Sequence, residues 1–182
     1  YEGIYFSRGV TYFLAQQFEN AIKDFDRYIR REPKDPSAYL NRGASWLFLG
    51  DTLKAVSDYN KAIKLDRFDP EGYVRRGRLY ASQGQHELAI EDMNKAIELD
   101  TANTFAYFNR AIMYYEQEKY REAMADLNRV LVDEPGNALT LYNLDWSQEI
   151  MPEFMLTEIL LESGNEEFTH ILNEKWEELR DG

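Results

Sequence analysis

The sequence has 182 residues and no cysteine, and its 33 acidic against 21 basic residues give a net charge of −12. This length suits one domain or two small ones, and the missing cysteines exclude disulfides, thiolate metal sites and cysteine nucleophiles. The acidic balance makes nucleic acid and anionic membrane surfaces poor partners, because both are bound through clustered Lys and Arg. No run of 18 apolar residues occurs, so no segment is predicted to insert into a membrane.

In chain order, the sequence repeats itself every 34 residues, over segments 2–35, 36–69, 70–103 and 104–137. Each repeat has tyrosine at its fourth position, a small residue at its eighth and alanine at its twentieth. The tyrosines are Tyr5, Tyr39, Tyr73 and Tyr107; the small residues are Gly9, Gly43, Gly77 and Ala111; the alanines are Ala21, Ala55, Ala89 and Ala123. Small residues at fixed offsets let two helix backbones approach closely, so each repeat is predicted to be a helical hairpin.

Two charged positions also recur in every repeat. The seventh position is arginine (Arg8, Arg42, Arg76, Arg110) and the twenty-third is aspartate (Asp24, Asp58, Asp92, Asp126). A partly buried guanidinium needs a carboxylate to offset its desolvation, so we predict that each arginine meets an aspartate across the hairpin or the adjoining repeat. The alternative is an arginine ladder that binds anions, but it would leave the four aspartates without a role.

A fifth repeat begins at Ala138 and fails where Asp145 replaces the small residue, so the repeat array is predicted to cover residues 1–150. Two further helices are predicted in residues 151–182, the first opened by Pro152 and the second running from about residue 166 to 180. Residues 138–182 hold 11 acidic and 2 basic residues, a net charge of −9. This acidic segment is interpreted as a cap on the last hairpin, as a mimic of a ligand, or as a segment fused from another source near residues 151–155.

Each repeat also has an aromatic residue at its eleventh position (Tyr12, Trp46, Tyr80, Tyr114), and prolines follow second helices at Pro33, Pro70 and Pro135. Together with the tyrosine, small-residue and alanine offsets, these positions resemble the tetratricopeptide repeat (TPR) family over about three quarters of the chain. The resemblance implies an all-α fold, a right-handed α-solenoid of antiparallel helix hairpins, with four complete repeats, a partial fifth and C-terminal helices. It also implies a concave groove, lined mainly by the first helix of each hairpin, that receives peptides or helices of partner proteins. Arginine at the seventh position departs from the family, which usually has leucine there.

The family geometry assigns the groove to particular positions of each repeat. It implies partner-binding roles for Phe6, Val10, Phe13, Leu40, Asn41, Leu47, Val74, Arg75, Arg78, Phe105, Phe108, Asn109, Ile112, Tyr115, Tyr142 and Trp146. This surface is mostly apolar, with a basic patch at Arg75 and Arg78. A soluble monomer seldom leaves such a surface uncovered, so an amphipathic helix with acidic residues is the predicted ligand.

The predicted function is that of a non-catalytic scaffold or adaptor that binds a protein or peptide, without a cofactor. One candidate ligand is the chain's own or a neighbour's C-terminal helix, residues 168–179, whose apolar stripe includes Phe168, Trp176 and Leu179. The family's clamp for the acidic ends of heat-shock chaperones is not expected, because Phe6, Val10 and Glu71 replace its polar and basic residues. The alternatives are a self-assembly module and a regulatory domain of a larger enzyme or complex.

An enzyme or metal site is not predicted. His86 and His170 fall in different helices without a partner at ligand spacing, and no phosphate-binding loop is present. The sequence opens at Tyr1 inside the first repeat, which we interpret as a trimmed piece of a longer protein. No signal fixes a compartment, and a soluble cytoplasmic protein is the interpretation favoured.

Overall fold

The computed structural model describes residues 3–133, where all regular structure is α-helical. The helices are α1 (Gly3–Leu14), α2 (Phe18–Ile29), α3 (Pro36–Phe48), α4 (Thr52–Leu65), α5 (Pro70–Ser82), α6 (His86–Leu99), α7 (Thr104–Glu116) and α8 (Tyr120–Asp133). None of these helices is long and apolar enough to cross a bilayer. The partial fifth repeat and the predicted acidic helices of residues 151–182 lie outside the described residues.

Consecutive helices pack in pairs, α1 with α2, α3 with α4, α5 with α6 and α7 with α8, so each repeat is a helical hairpin. The first helices of the second, third and fourth repeats begin at Pro36, Pro70 and Thr104, 34 residues apart. The predicted all-α helical-repeat fold is thereby confirmed. Contacts divide the chain into two compact units, residues 1–101 with α1 to α6 and residues 102–182 with α7 and α8.

The starts of α3 and α5 are fixed by local chemistry. The carboxylates of Asp35 and Asp69 accept hydrogen bonds from the backbone amides of Ser37 and Glu71, each at 2.9 Å. Each aspartate is followed by a proline in the first helical turn, where a missing N–H costs nothing. The repeat period therefore places a helix start at the same offset in successive hairpins.

The small residues stand where the two helices of a hairpin come closest. A Cβ atom added at Gly9 or Gly43 would lie 2.7 Å from a ring carbon of Phe25 or Tyr59, which is closer than such atoms pack. The alanines at the twentieth position are buried as well, from Ala21 in α2 to Ala123 in α8. Large rings thus fill the space that the missing side chains leave, as the sequence predicts.

The predicted arginine–aspartate pairing is confirmed in all four repeats. In the second repeat, the Nε and Nη2 atoms of Arg42 donate to the two carboxylate oxygens of Asp58 at 2.8 and 2.6 Å. The same two-bond contact joins the other pairs within their own hairpins: Arg8 with Asp24, Arg76 with Asp92, and Arg110 with Asp126. All four aspartates are buried, and the paired guanidinium offsets the desolvation of each carboxylate.

Electrostatics at these pairs follow from the hydrogen bonds and from burial. The hydrogen bonds that Arg42 donates to Asp58 raise the pKa of Arg42, and those that Arg76 donates to Asp92 raise the pKa of Arg76, so both guanidiniums stay charged. Burial raises the pKa of Asp92 above the ordinary value of 3.8, although Arg76 acts in the opposite direction. We infer that Asp92 is still ionised near neutral pH, because a two-bond contact with a guanidinium requires the carboxylate form.

Candidate binding surface

An aromatic cluster formed by Phe13, Phe18 and Phe48 lies where α1 ends, α2 begins and α3 ends. The rings of Phe18 and Phe48 are stacked with centroids 4.8 Å apart and an interplanar angle of 4°. Phe13 meets both rings edge-on, with centroid distances of 5.6 and 5.5 Å. Phe48 nevertheless remains 65% exposed. A large ring that is held by its neighbours but open to solvent is a preorganised contact for an apolar side chain of a partner.

The aromatic cluster contains one residue that sequence reasoning missed. Phe18 is the first residue of α2, whereas the predicted groove was drawn from first helices alone. The fourth repeat has a ring contact at the positions of Phe13 and Phe18, since the rings of Tyr115 and Tyr120 lie 5.5 Å apart across the same turn. An aromatic residue at both the twelfth and the seventeenth position of a repeat is the signal that would have found Phe18 and Tyr120.

Most predicted groove residues of the first compact unit are partly accessible. Phe6, Val10, Phe13, Asn41, Leu47 and Arg75 are half-buried, and Arg78 is exposed. Phe6 also packs against Phe25 and Tyr28 of α2, with ring centroids 5.9 and 5.2 Å away. Its ring is therefore held in place by its own hairpin.

Two predicted groove residues are buried and take a packing role instead. Leu40 and Val74 are only 5% and 3% exposed. Leu40 belongs to a core cluster with Tyr39, Tyr59 and Leu79, which fills the space between helices. Because a partner could reach neither side chain, Leu40 and Val74 are left out of the candidate surface.

Asn41 presents a polar group beside this apolar surface. Its Nδ2 donates to the backbone oxygen of Ser37 at 2.8 Å, one turn earlier in α3, which directs the amide and leaves Oδ1 to accept a hydrogen bond. Asn109 makes the same bond to Phe105 at 2.7 Å in α7. Both asparagines occupy the sixth position of their repeats and could accept a hydrogen bond from a ligand backbone.

The predicted basic patch at Arg75 and Arg78 is a mixed-charge patch. The Nε atom of Arg75 donates to Glu71 at 2.6 Å, one turn away on α5, so much of its charge is compensated. Burial raises the pKa of the nearby Tyr59 to about 12, although the charges of Arg75 and Arg78 act in the opposite direction. Tyr59 therefore stays neutral beneath these charges, and electrostatic attraction for an acidic ligand is weaker than the sequence suggested.

In the described part of the second compact unit, residues 102–133, five predicted groove residues lie on α7. Phe105 is exposed, while Phe108, Asn109, Ile112 and Tyr115 are half-buried. Tyr142 and Trp146, which were predicted to continue the groove, lie outside the described residues. Within residues 3–133, no cluster of His, Cys, Asp and Glu could hold a metal ion.

Comparison with known proteins places this geometry in a family. Four sequence models described as TPR repeat or tetratricopeptide repeat match residues 6–70, 58–91, 77–117 and 105–137. A search of curated proteins finds none that matches the sequence.

Solved structures show the same fold at low sequence identity. The chain is similar to the MamA protein (20% identity, TM-score 0.69, 87% of this chain and 85% of that one). It is also similar to YrrB, described as a TPR protein with an unusual peptide-binding site (20%, 0.66, 78% and 73%). A third is the first TPR of Spaghetti (RPAP3) bound to the HSP90 peptide SRMEEVD (24%, 0.56, 69% and 92%). With its hairpins, its matched repeats and these neighbours, the chain belongs to the tetratricopeptide repeat family.

Proposed function

We propose that this protein is a non-catalytic adaptor that binds a peptide or an amphipathic helix of a partner protein on the surface that α1, α3, α5 and the start of α2 present within residues 3–101. The observation that carries the proposal is the aromatic cluster of Phe13, Phe18 and Phe48, with Phe48 65% exposed. Binding energy at protein interfaces concentrates in a few aromatic anchors that neighbouring residues hold rigid. Asn41, two turns earlier on α3, supplies an acceptor that fixes the ligand's register.

Two neighbours support a peptide as the ligand. YrrB is described as having a peptide-binding site, and Spaghetti is bound to a chaperone peptide. For this chain we propose a ligand with an aromatic or aliphatic anchor, not an acidic chaperone terminus. The ion pair between Arg75 and Glu71 supports this choice, because it occupies a cation that a carboxylate clamp would require.

The test is a helical peptide library selected on the full chain, followed by affinity measurements on variants by calorimetry. Phe48→Ala is expected to weaken a selected peptide by at least about tenfold, or roughly 1.4 kcal/mol. Phe68→Ala is the matched control, since Phe68 is a phenylalanine of similar exposure, 68%, between α4 and α5. Equal losses at Phe48 and Phe68, or no selected peptide, would contradict the proposal.

The same measurement distinguishes particular ligands. A peptide of residues 165–182 tests whether the C-terminal segment is a ligand, and SRMEEVD tests the chaperone clamp. We expect no binding of SRMEEVD. Binding of the C-terminal peptide that Phe48→Ala weakens would make the segment a groove ligand, whereas concentration-dependent association of the full chain that Phe48→Ala leaves intact would favour the self-assembly alternative.

A further inference from the structure

Each arginine of the second and third repeats also reaches the preceding hairpin. While Nε and Nη2 of Arg42 bind Asp58, its Nη1 donates to Asp26 of α2 at 2.7 Å. In the same way, Nη1 of Arg76 donates to Asn60 of α4 at 2.5 Å. The guanidinium thus uses two nitrogens inside its own hairpin and the third to hold the second helix of the hairpin before it.

Arg8 in the first repeat makes only the first kind of contact. Its Nε and Nη2 bind Asp24, but within residues 3–133 its Nη1 has no acceptor. The Arg8 side chain is 48% exposed, against 20% for Arg42 and 21% for Arg76. Arg27 also lies 3.5 Å from the same carboxylate, so two cations share one buried aspartate and leave local positive charge.

The residues that flank Arg8 on α1 are open as well. Ile4 is 62% exposed and Thr11 is exposed, whereas their equivalents in α3, Ala38 and Ser45, are fully buried. These three positions, one turn apart, form one stripe of a helix. We name Ile4, Arg8 and Thr11 the N-terminal face.

Ile4 restricts what can pack there. Its equivalent in α5 is Gly72, where an added Cβ would lie 2.8 Å from Cγ1 of Ile63 in α4. A helix opposite Ile4 must therefore carry a small residue where α4 carries Ile63. On α4, the acceptor Asn60 precedes Ile63 by three residues. The docked helix must therefore carry its small residue three positions after its acceptor.

We propose that the N-terminal face docks a helix of a separate partner protein, one that carries Asp or Asn followed three residues later by Ala or Gly, a pair that residues 134–182 of this chain do not contain. The acidic or amide oxygen accepts from Nη1 of Arg8, and the small residue makes room for Ile4. The inference does not depend on the groove, because it concerns a different stripe of α1.

The test uses a hydrocarbon-stapled peptide of α2, Phe18–Ile29, with Ile29→Ala, as a probe for the full chain. This helix already presents Asp26 to an arginine in the native protein. Stapling keeps the isolated peptide helical, since a helix of this length is marginal in water. The control probes are the same peptide with Asp26→Ala and the peptide that retains Ile29.

The expected result is that the Ile29→Ala probe binds at least about tenfold more tightly than either control. It should shift the Arg8 Nε–Hε resonance of the labelled chain, and Ile4→Glu should abolish binding while Leu53→Glu, at an exposed site on α4, does not. Absent binding, equal affinity for the three probes, or an unshifted Arg8 resonance would overturn the proposal. Self-association of the full chain that Ile4→Glu abolishes would assign the face to a second copy and overturn the choice of an outside helix.

Discussion

The glycines at the eighth position show how one missing side chain sets the distance between two helices. Gly43 faces Tyr59 and Gly77 faces Met93, and an added Cβ would lie 2.7 or 2.8 Å from the nearest side-chain atom. The two contacted side chains differ in how easily they can move away from an added Cβ. The ring of Tyr59 is rigid and buried, whereas the Met93 contact is the terminal methyl of a flexible side chain.

Gly43→Ala is therefore expected to lower the free energy of unfolding by about 2 kcal/mol, because crowding against Tyr59 outweighs the better helix propensity of alanine. Gly77→Ala should cost less, since Met93 can change rotamer. Urea denaturation of the two variants measures the difference. A stabilised Gly43→Ala protein would show that the helices can separate without loss.

The turns inside the hairpins carry strain at two residues. The fifteenth position of each repeat has positive φ, and it is glycine at Gly50 and Gly84 but Gln16 and Glu118 in the outer repeats. Residues with a Cβ atom pay roughly 1–2 kcal/mol in this conformation.

Gln16→Gly is expected to stabilise the protein by about 0.5–1 kcal/mol, because relief of the left-handed strain exceeds the added flexibility of the unfolded chain. Gln17→Gly, at φ −94°, serves as the control and should give no gain. Thermal unfolding of both variants checks this. If the two changes had the same effect, the strain at Gln16 would be negligible.

At the scale of helices, the arginines link elements both within and between hairpins. Arg42 joins α3 to α4 through Asp58 and to α2 through Asp26. Among residues 3–133, Arg8 joins only α1 to α2. The loss of folding stability when the aspartate of a pair is removed should therefore increase with the burial of its guanidinium.

Asp58→Ala is expected to cost about 3 kcal/mol of stability, since it leaves the largely buried Arg42 with only Asp26. Asp24→Ala should cost clearly less, because the half-exposed Arg8 can be solvated. Guanidinium chloride is unsuitable here because it screens charge, so urea melts should be compared. Equal losses at the two sites would mean that exposure of the arginine does not govern the pair.

At the scale of the whole molecule, charge is unevenly distributed along the sequence. The net charge of −12 comes largely from residues 138–182, which carry −9. The four arginines at the seventh position of the repeats are each paired with a buried aspartate, so this recurrent arginine column is not the cationic stripe that a phosphate backbone needs.

Duplex DNA or RNA is accordingly expected to show no binding at protein concentrations on the order of 10 μM and low salt, the range in which non-specific nucleic-acid binding is observed. Fluorescence anisotropy with a labelled duplex measures this. A salt-sensitive rise in anisotropy would contradict the inference from charge.

The 34-residue period, read from Tyr39, Gly43, Ala55 and their equivalents, was enough to predict the hairpins and the arginine–aspartate pairs. This succeeded because both depend on local offsets: a residue on the first helix meets one 16 positions later whenever the hairpin forms. Helix starts were likewise predictable, since Asp35 and Pro36 determine one by themselves.

Only the tertiary structure decided which side chains remain available to a partner. Leu40 is buried, Phe18 stacks on Phe48 of another helix, and the charge of Arg75 is compensated by Glu71. The tertiary structure also decided which arginines reach a second acceptor. Arg42 and Arg76 do so in the preceding hairpin, whereas Nη1 of Arg8 has no acceptor within residues 3–133. The physical reason is that exposure and ring contacts depend on how closely neighbouring hairpins approach, and a repeat pattern gives the order of the helices but not the distances between them.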